Sequence, residues 1–227
     1  MTGNSSLRGT AQTAPPAAWS GAKGAPTRLI LLRHGQTELS GQRRYSGRGE
    51  PPLTATGLAQ AKAAAHRLSS MEQITTVVCS PLKRARQTAE AVVEQLGLPI
   101  AYWDTLTETD FGAWEGLTFA EAAERDPDLH RTWLSDPSVP TPGGESFDEV
   151  YDRVSRARDE LVAAYQGCTV LVVSHVTPIK TLLRIGLDAG PNILFRLHLD
   201  LASLSIVEFY PDGNASVRLA NDTAHLS

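Results

Sequence analysis

Arg33 and His34 stand together where a run of four aliphatic residues, Leu29 to Leu32, stops, and Gly35 follows them. A second apolar run, Thr169 to Val173, ends in a similar way, in Ser174 and His175. Between the two lie Arg84, early in a stretch that opens at Ser80-Pro81, and the carboxylates Glu108, Asp110 and Glu115. Arginine presents a planar fork of donors suited to an anion, and histidine offers a titratable nitrogen. Two arginines, two histidines and a carboxylic acid make a coherent set for phosphoryl transfer. The cations hold the charge of a phosphomonoester. A neutral histidine attacks phosphorus, which splits one hard displacement into two easier ones. The acid protonates the leaving oxygen and then takes a proton from the attacking water. Spacing alone does not choose among the three carboxylates. By themselves, Arg33 and His34 read equally well as a polar loop after a strand.

These groups meet only if the elements beneath them converge. Leu29–Leu32 and Thr169–Val173 have the unbroken apolar pattern of strands covered on both faces. In open α/β sheets ligands bind beyond the C-terminal ends of the strands, and Gly35 permits a sharp turn there. If these strands are neighbours, His34 and His175 share one sheet edge. The run Thr76–Cys79 predicts another strand, and Ser80-Pro81 predicts the cap and first position of a helix that stops at Gly97. Arg84 then sits in that helix's first turn, where free N–H groups favour anions. Ile100–Trp103 predicts a further strand, which puts Glu108 in the loop after it, on the same side.

The remaining pattern fills in the layers. Thr54 caps a helix of about 56–69, and short helices are expected at 118–125 and 129–134. After Ser146 a long helix carries Phe147, Val150, Val154, Ala157, Leu161 and Tyr165 on one face. Another helix begins near Pro178, and late strands at about 203–209 and 215–220 are joined by Pro211-Asp212-Gly213-Asn214. The loop 38–52, with its glycines and Pro51-Pro52, predicts no regular structure. The expected fold is α/β, a three-layer α/β/α sandwich with a mostly parallel central sheet.

Composition narrows the function classes. The chain of 227 residues carries a net charge of −4, which invites neither nucleic acid nor an acidic membrane surface. Its two cysteines, Cys79 and Cys168, sit in or beside apolar runs and read as buried thiols in a reducing compartment. No apolar run approaches a membrane span, and the N-terminus lacks the pattern of a secretory signal, so a cytoplasmic location is expected. In residues 1–27, 20 of the 27 are Ala, Gly, Pro, Ser or Thr. Such a segment buries too little apolar area to offset its ordering entropy, and is expected to be a disordered tail or linker ahead of a domain at 28–227.

The run Leu32-Arg33-His34-Gly35-Gln36-Thr37 resembles the signature of the histidine phosphatase (phosphoglycerate mutase-like) superfamily. The likeness continues through Pro52–Gly57, Ser80–Ala89, Glu108–Gly116, Gly143–Ser146 and Val173–His175, in the family's order. In more detail the chain is similar to the acid phosphatase, α-ribazole phosphatase-like domain of actinobacterial ribonuclease H–phosphatase fusions. The resemblance implies that His34 is the nucleophile that becomes phosphohistidine and Glu108 the proton donor. Arg33, Arg84 and His175 would hold the phosphate, with Gln36, Thr37, Ser40 and Val176 completing the substrate-binding set. Ser40 is a departure, because many members carry an asparagine there. The resemblance implies no cofactor and no metal. The expected partner is a small-molecule phosphate ester, not nucleic acid or membrane, and a homodimer stays open.

Other residues have blander readings. His66, His130 and His225 are expected to be solvated, and His198 to be structural rather than pocket-lining. Arg43, Arg44 and Arg48 read equally as a solvated loop or as greeting an anionic substrate, and Phe111 and Trp114 as core. A mutase of this family would need further basic residues after the acid, yet Thr109–Gly116 contains neither Arg nor Lys, which favours hydrolysis. A non-catalytic phosphate-binding module could dispense with His34 or Glu108, and both are present.

Overall fold

Strand β1, Thr27–Arg33, lies inside the sheet, and Leu29 to Leu32 are each 0% exposed. The computed structural model describes residues 21–71 and 74–227, so most of the expected tail lies outside the described residues. Six strands run in the order β3-β2-β4-β1-β5-β6: β2 is Thr76–Cys79, β3 Ile100–Tyr102, β4 Thr169–Ser174, β5 Leu204–Phe209 and β6 Ala215–Asp222. β3, β2, β4 and β1 pair in parallel, and β5 and β6 add antiparallel strands beyond β1.

Alternation along the strands divides the core in two. Leu29 and Leu31 join Val170 and Val172 under helix α6, Phe147–Ala164, and helix α7, Val176–Gly186. Ile30 and Leu32 join Leu171 and Val173 under α2, Ala55–Ser69, and α3, Lys83–Leu96. Two covered faces explain the unbroken aliphatic runs. The architecture is the expected α/β/α sandwich. Among the described residues, no helix is long and apolar enough to cross a membrane.

A third cluster, of Tyr45, Phe111, Trp114, Trp133, Phe147 and Leu194, is built largely from the long connections. It includes α4, Phe119–Arg125, and α5, Pro127–Trp133. Phe111 and Trp114 are core, as expected.

Several local expectations need correction. The loop after β1 contains a short helix, α1, Glu38–Gly41, because Thr37 and Ser40 form a reciprocal capping box. α3 starts at Lys83 with Leu82 as its uncapped N-cap, not at Ser80-Pro81. Ser80 Oγ instead accepts from Leu82 N–H at 3.3 Å and meets His175 Nε2 at 2.7 Å. Cys79 is buried but Cys168 only half-buried, and both are free thiols.

Candidate active site

The register of β1 against β4 pairs Leu32 with Val173 and Arg33 with Ser174, so the two histidines leave the sheet side by side. His34 N–H donates to Ser174 O at 3.0 Å, extending the ladder by one rung, and the two imidazole centroids lie 5.1 Å apart. His34 Nδ1 sits 2.8 Å from Gly35 O. A carbonyl only accepts, so Nδ1 carries the hydrogen and the Nε2 lone pair is free. Glycine is required at the turn: a Cβ on Gly35 would meet Gly57 O at 2.5 Å, and one on Gly57 would overlap Gln36 O. The end of β1 is thereby seated on the first turn of α2.

Arg84, in the first turn of α3, is fully buried and donates to Gly49 O at 2.8 Å, Ser46 O at 3.0 Å and Gly47 O at 2.8 Å. Arg33 Nη1 donates to Leu199 O at 2.6 Å. Glu108, 5% exposed, faces the start of α7. Its Oε2 accepts from Val176 N–H at 3.0 Å, and its Oε1 from Thr177 N–H at 3.2 Å. Those are orphan donors of a helix N-terminus, where a carboxylate is well placed.

The charge balance at this edge is cationic, and His34, Arg84, His175 and Glu108 are buried. Burial, with Arg84 and Arg33 nearby, holds His34 well below the usual histidine value. Burial, Arg84 and His34 do the same for His175. Both rings are neutral, so each keeps one nitrogen with a free lone pair and one N–H. Desolvation lowers Arg33 to about 10 and also lowers Arg84, and both remain charged at neutral pH. Among the described residues, the buried polar atoms without a hydrogen-bond partner include Arg33 Nε, Arg84 Nε and His175 Nδ1. Buried donors left unpaired are costly. Each has capacity left for an anion such as phosphate, though of these three residues only Arg33 lines the adjoining cavity.

Arg33, His34 and Glu108 line a cavity of about 1100 Å³, together with Ser40, Arg43, Val176, Lys180 and an apolar wall. That wall includes Phe119, Leu134 and Phe195, at 54%, 40% and 40% exposure. Exposed large apolar side chains gathered on one concavity mark a binding surface.

Not every expected binding residue turns to this cavity. Gln36 Oε1 accepts from Thr54 Oγ1 at 2.9 Å and bolts the loop to α2, while Thr37 is the fully buried N-cap of α1. Ser40 lines the cavity, yet its hydroxyl belongs to the capping box. Of the loop arginines, Arg44 bridges Gly116 O and Glu121, and Arg48 bonds Thr107 Oγ1 and Glu145. Both are structural. Arg43 and the half-buried Arg44 both line the cavity, and Arg43 is exposed there with a left-handed φ of 57°.

His130 is 6% exposed rather than solvated, because the Tyr45 hydroxyl meets its Nε2 at 3.0 Å inside the aromatic cluster. His225 is half-buried, within 3.0 Å of Ala202 O, and His66 is exposed. His198 lines the cavity rim and pairs with Asp200 at 3.1 Å.

Residue reading overlooked Ser80, Glu145 and Arg153. Arg153 is 9% exposed and donates to the carbonyls around Glu108. Its sequence signal was present: a lone cation three residues after Val150 and just before Val154, on the apolar face of α6.

The profile of the histidine phosphatase superfamily (branch 1) matches residues 29–222. The chain is 64% identical over 208 residues to the bifunctional protein Rv2228c of Mycobacterium tuberculosis, covering 92% of this chain and 57% of that protein. It therefore spans little more than half the length of that relative. It is 34% identical over 200 residues to phosphoserine phosphatase 1 of Hydrogenobacter thermophilus, covering 88% of this chain and 94% of the relative. The solved α-ribazole phosphatase of Shigella flexneri superposes with a TM-score of 0.75 at 29% identity, over 86% of this chain and 96% of its own. With its matched profile and its paired histidines at the ends of β1 and β4, the chain belongs to the histidine phosphatase superfamily.

Proposed function

We propose that the chain is a phosphomonoester hydrolase of the acid phosphatase type, working through a phosphohistidine. The observation that carries this reading is His34: neutral, with Nδ1 tied to Gly35 O and Nε2 free, in a residue that lines the cavity with Arg33 and Glu108. Nε2 attacks phosphorus, a P–N bond forms and the P–O bond to the leaving group breaks. Glu108 gives its proton to the departing oxygen. Arg33, Arg84 and the His175 Nδ1–H hold the equatorial oxygens, whose charge grows in the transition state. Water then attacks phosphorus, Glu108 takes its proton, and inorganic phosphate leaves as the P–N bond breaks. Nothing in these steps calls on a metal.

The apolar wall supports a substrate with a bulky, partly aromatic leaving group. α-Ribazole 5′-phosphate is the ester we place first, and the likeness to the Shigella enzyme supports it.

The test is phosphate release from p-nitrophenyl phosphate with excess chelator, for wild type and His34→Ala. Turnover that vanishes in the variant is expected. If wild type is inert across pH 5 to 8, the hydrolase reading fails, and a phosphoglycerate-interconversion assay then separates a mutase from a binding module. Equal kcat/KM for α-ribazole 5′-phosphate, phosphoserine and generic esters would sink the substrate assignment alone.

A further inference from the structure

Glu108 is held from two sides. The N-terminus of α7 grips its carboxylate, and a buried arginine grips its backbone. Arg153 Nη1 donates to Thr105 O at 2.9 Å and Thr107 O at 2.7 Å, and Nη2 to Glu108 O at 3.0 Å. The rest of the fork closes on Glu145, with Nε at 2.9 Å from Oε1 and Nη2 at 3.2 Å from Oε2. Glu145 in turn accepts from Asp110 N–H at 2.9 Å and from Arg48, which also reaches Thr107 Oγ1. Arg48 belongs to the loop whose carbonyls at 46, 47 and 49 receive Arg84.

The segment 105–110 lies beyond β3 and has no sheet ladder of its own; Asp104–Leu106 is a single 3-10 turn. Three of its carbonyls converge on one guanidinium. Burying a charge is costly unless it is paired and fully hydrogen-bonded, and an apolar residue would pack the face of α6 without that cost.

We infer that Arg153 is a positioning residue for the proton donor: it fixes the backbone of Glu108 and, through Glu145 and Arg48, couples it to the loop held by Arg84. The inference rests on the assignment of Glu108 as proton donor. Lysine cannot replace the fork, since it offers a point charge instead of planar donors aimed at three carbonyls and a carboxylate.

A merely structural cross-link and a positioning residue differ in how the rate depends on the leaving group. p-Nitrophenolate departs without a proton, whereas an alkoxide needs one in the transition state. Losing the acid, or its placement, must therefore slow an alkyl phosphate far more than p-nitrophenyl phosphate. The ratio of the two rates on one sample is independent of the fraction of protein folded.

The experiment measures kcat and KM on butyl phosphate and p-nitrophenyl phosphate for wild type, Glu108→Gln, Arg153→Lys and Glu145→Gln. Glu108→Gln is expected to lower the alkyl-to-aryl ratio about 100-fold, within the range of general acid catalysis. Arg153→Lys should lower it about tenfold, in kcat rather than KM, because a small misplacement of a reacting group costs rate. Glu145→Gln should lower it a few-fold in the same direction, and it decides the matter if Arg153→Lys is insoluble. A wild-type ratio in Arg153→Lys, or in Glu145→Gln where that variant decides, would overturn the proposal. A wild-type ratio in Glu108→Gln overturns it at its premise, because the proton donor is then another group.

Discussion

His175 Nε2 lies 2.7 Å from Ser80 Oγ, while its buried Nδ1 has no protein partner. Ser80 Oγ accepts from Leu82 N–H, and we assign its own hydrogen to Nε2. That assigns the single N–H of the neutral ring to Nδ1, where it is available to an anion. Ser80→Ala removes the group that selects this tautomer. The expected cost is about tenfold in kcat/KM, or roughly 1.4 kcal/mol, with KM for phosphate esters raised. Steady-state kinetics with inorganic phosphate as competitive inhibitor checks it, and unchanged phosphate inhibition would remove the role given to Ser80.

The buried histidines set the response to acid. Desolvation first, then neighbouring arginines, hold His34 and His175 well below 6.5. Above pH 6.5 both are neutral in the folded and unfolded chain. As pH falls below 6.5 the unfolded chain takes up protons at these positions and the folded chain does not, so stability is lost. Tm should hold steady above pH 7 and decline below 6.5, with a shallower decline in His175→Gln. His34 stays neutral over the same window, so kcat/KM should show no His34 protonation step near 6.5.

Gly57→Ala sets two effects against each other. Inside α2, alanine is favoured over glycine by up to about 1 kcal/mol. Here the added Cβ would overlap Gln36 O, a backbone atom that cannot rotate away. The clash wins. The loop of 35–37 should shift with His34, and activity should drop by about 100-fold, as misplacement by ~1 Å does. Full activity with a raised Tm would show that the loop relaxes without moving His34.

Trp114 is 0% exposed, and its Nε1–H donates to Asp126 Oδ2 at 2.7 Å. Trp114→Ala leaves a void in the cluster behind the cavity wall and a carboxylate without its donor. The expected loss is about 3–5 kcal/mol, read as a lower denaturation midpoint in urea. A loss under 1 kcal/mol would mean that the cluster collapses onto the gap.

Much of this fold is legible in the chain because burial leaves a periodic mark. The runs at Leu29–Leu32 and Val170–Val173 have no polar residue, since helices cover both faces of those strands. The spacing on α6 likewise announces its buried face. What was misread depends on partners distant in sequence. Ser80 looks like a helix cap, but its hydroxyl is drawn to a histidine 95 positions away. His130 looks solvated until Tyr45, 85 positions away, is packed against it. Arg44 and Arg48 read as either solvated or substrate-facing until Glu121 and Glu145 arrive.

By itself the sequence determined the alternating layers, the strand ends that carry Arg33, His34 and His175, and the likeness to a phosphoryl-transfer family. Those features follow from local periodicity and from short runs of chemistry-bearing residues. Only the tertiary structure decided which nitrogen of each histidine is free, which arginines face the cavity, and that Arg153 holds the segment bearing Glu108. Hydrogen bonds are short and directional, so the state of each group is set by atoms within about 3 Å of it. Folding brings those atoms together from remote parts of the chain.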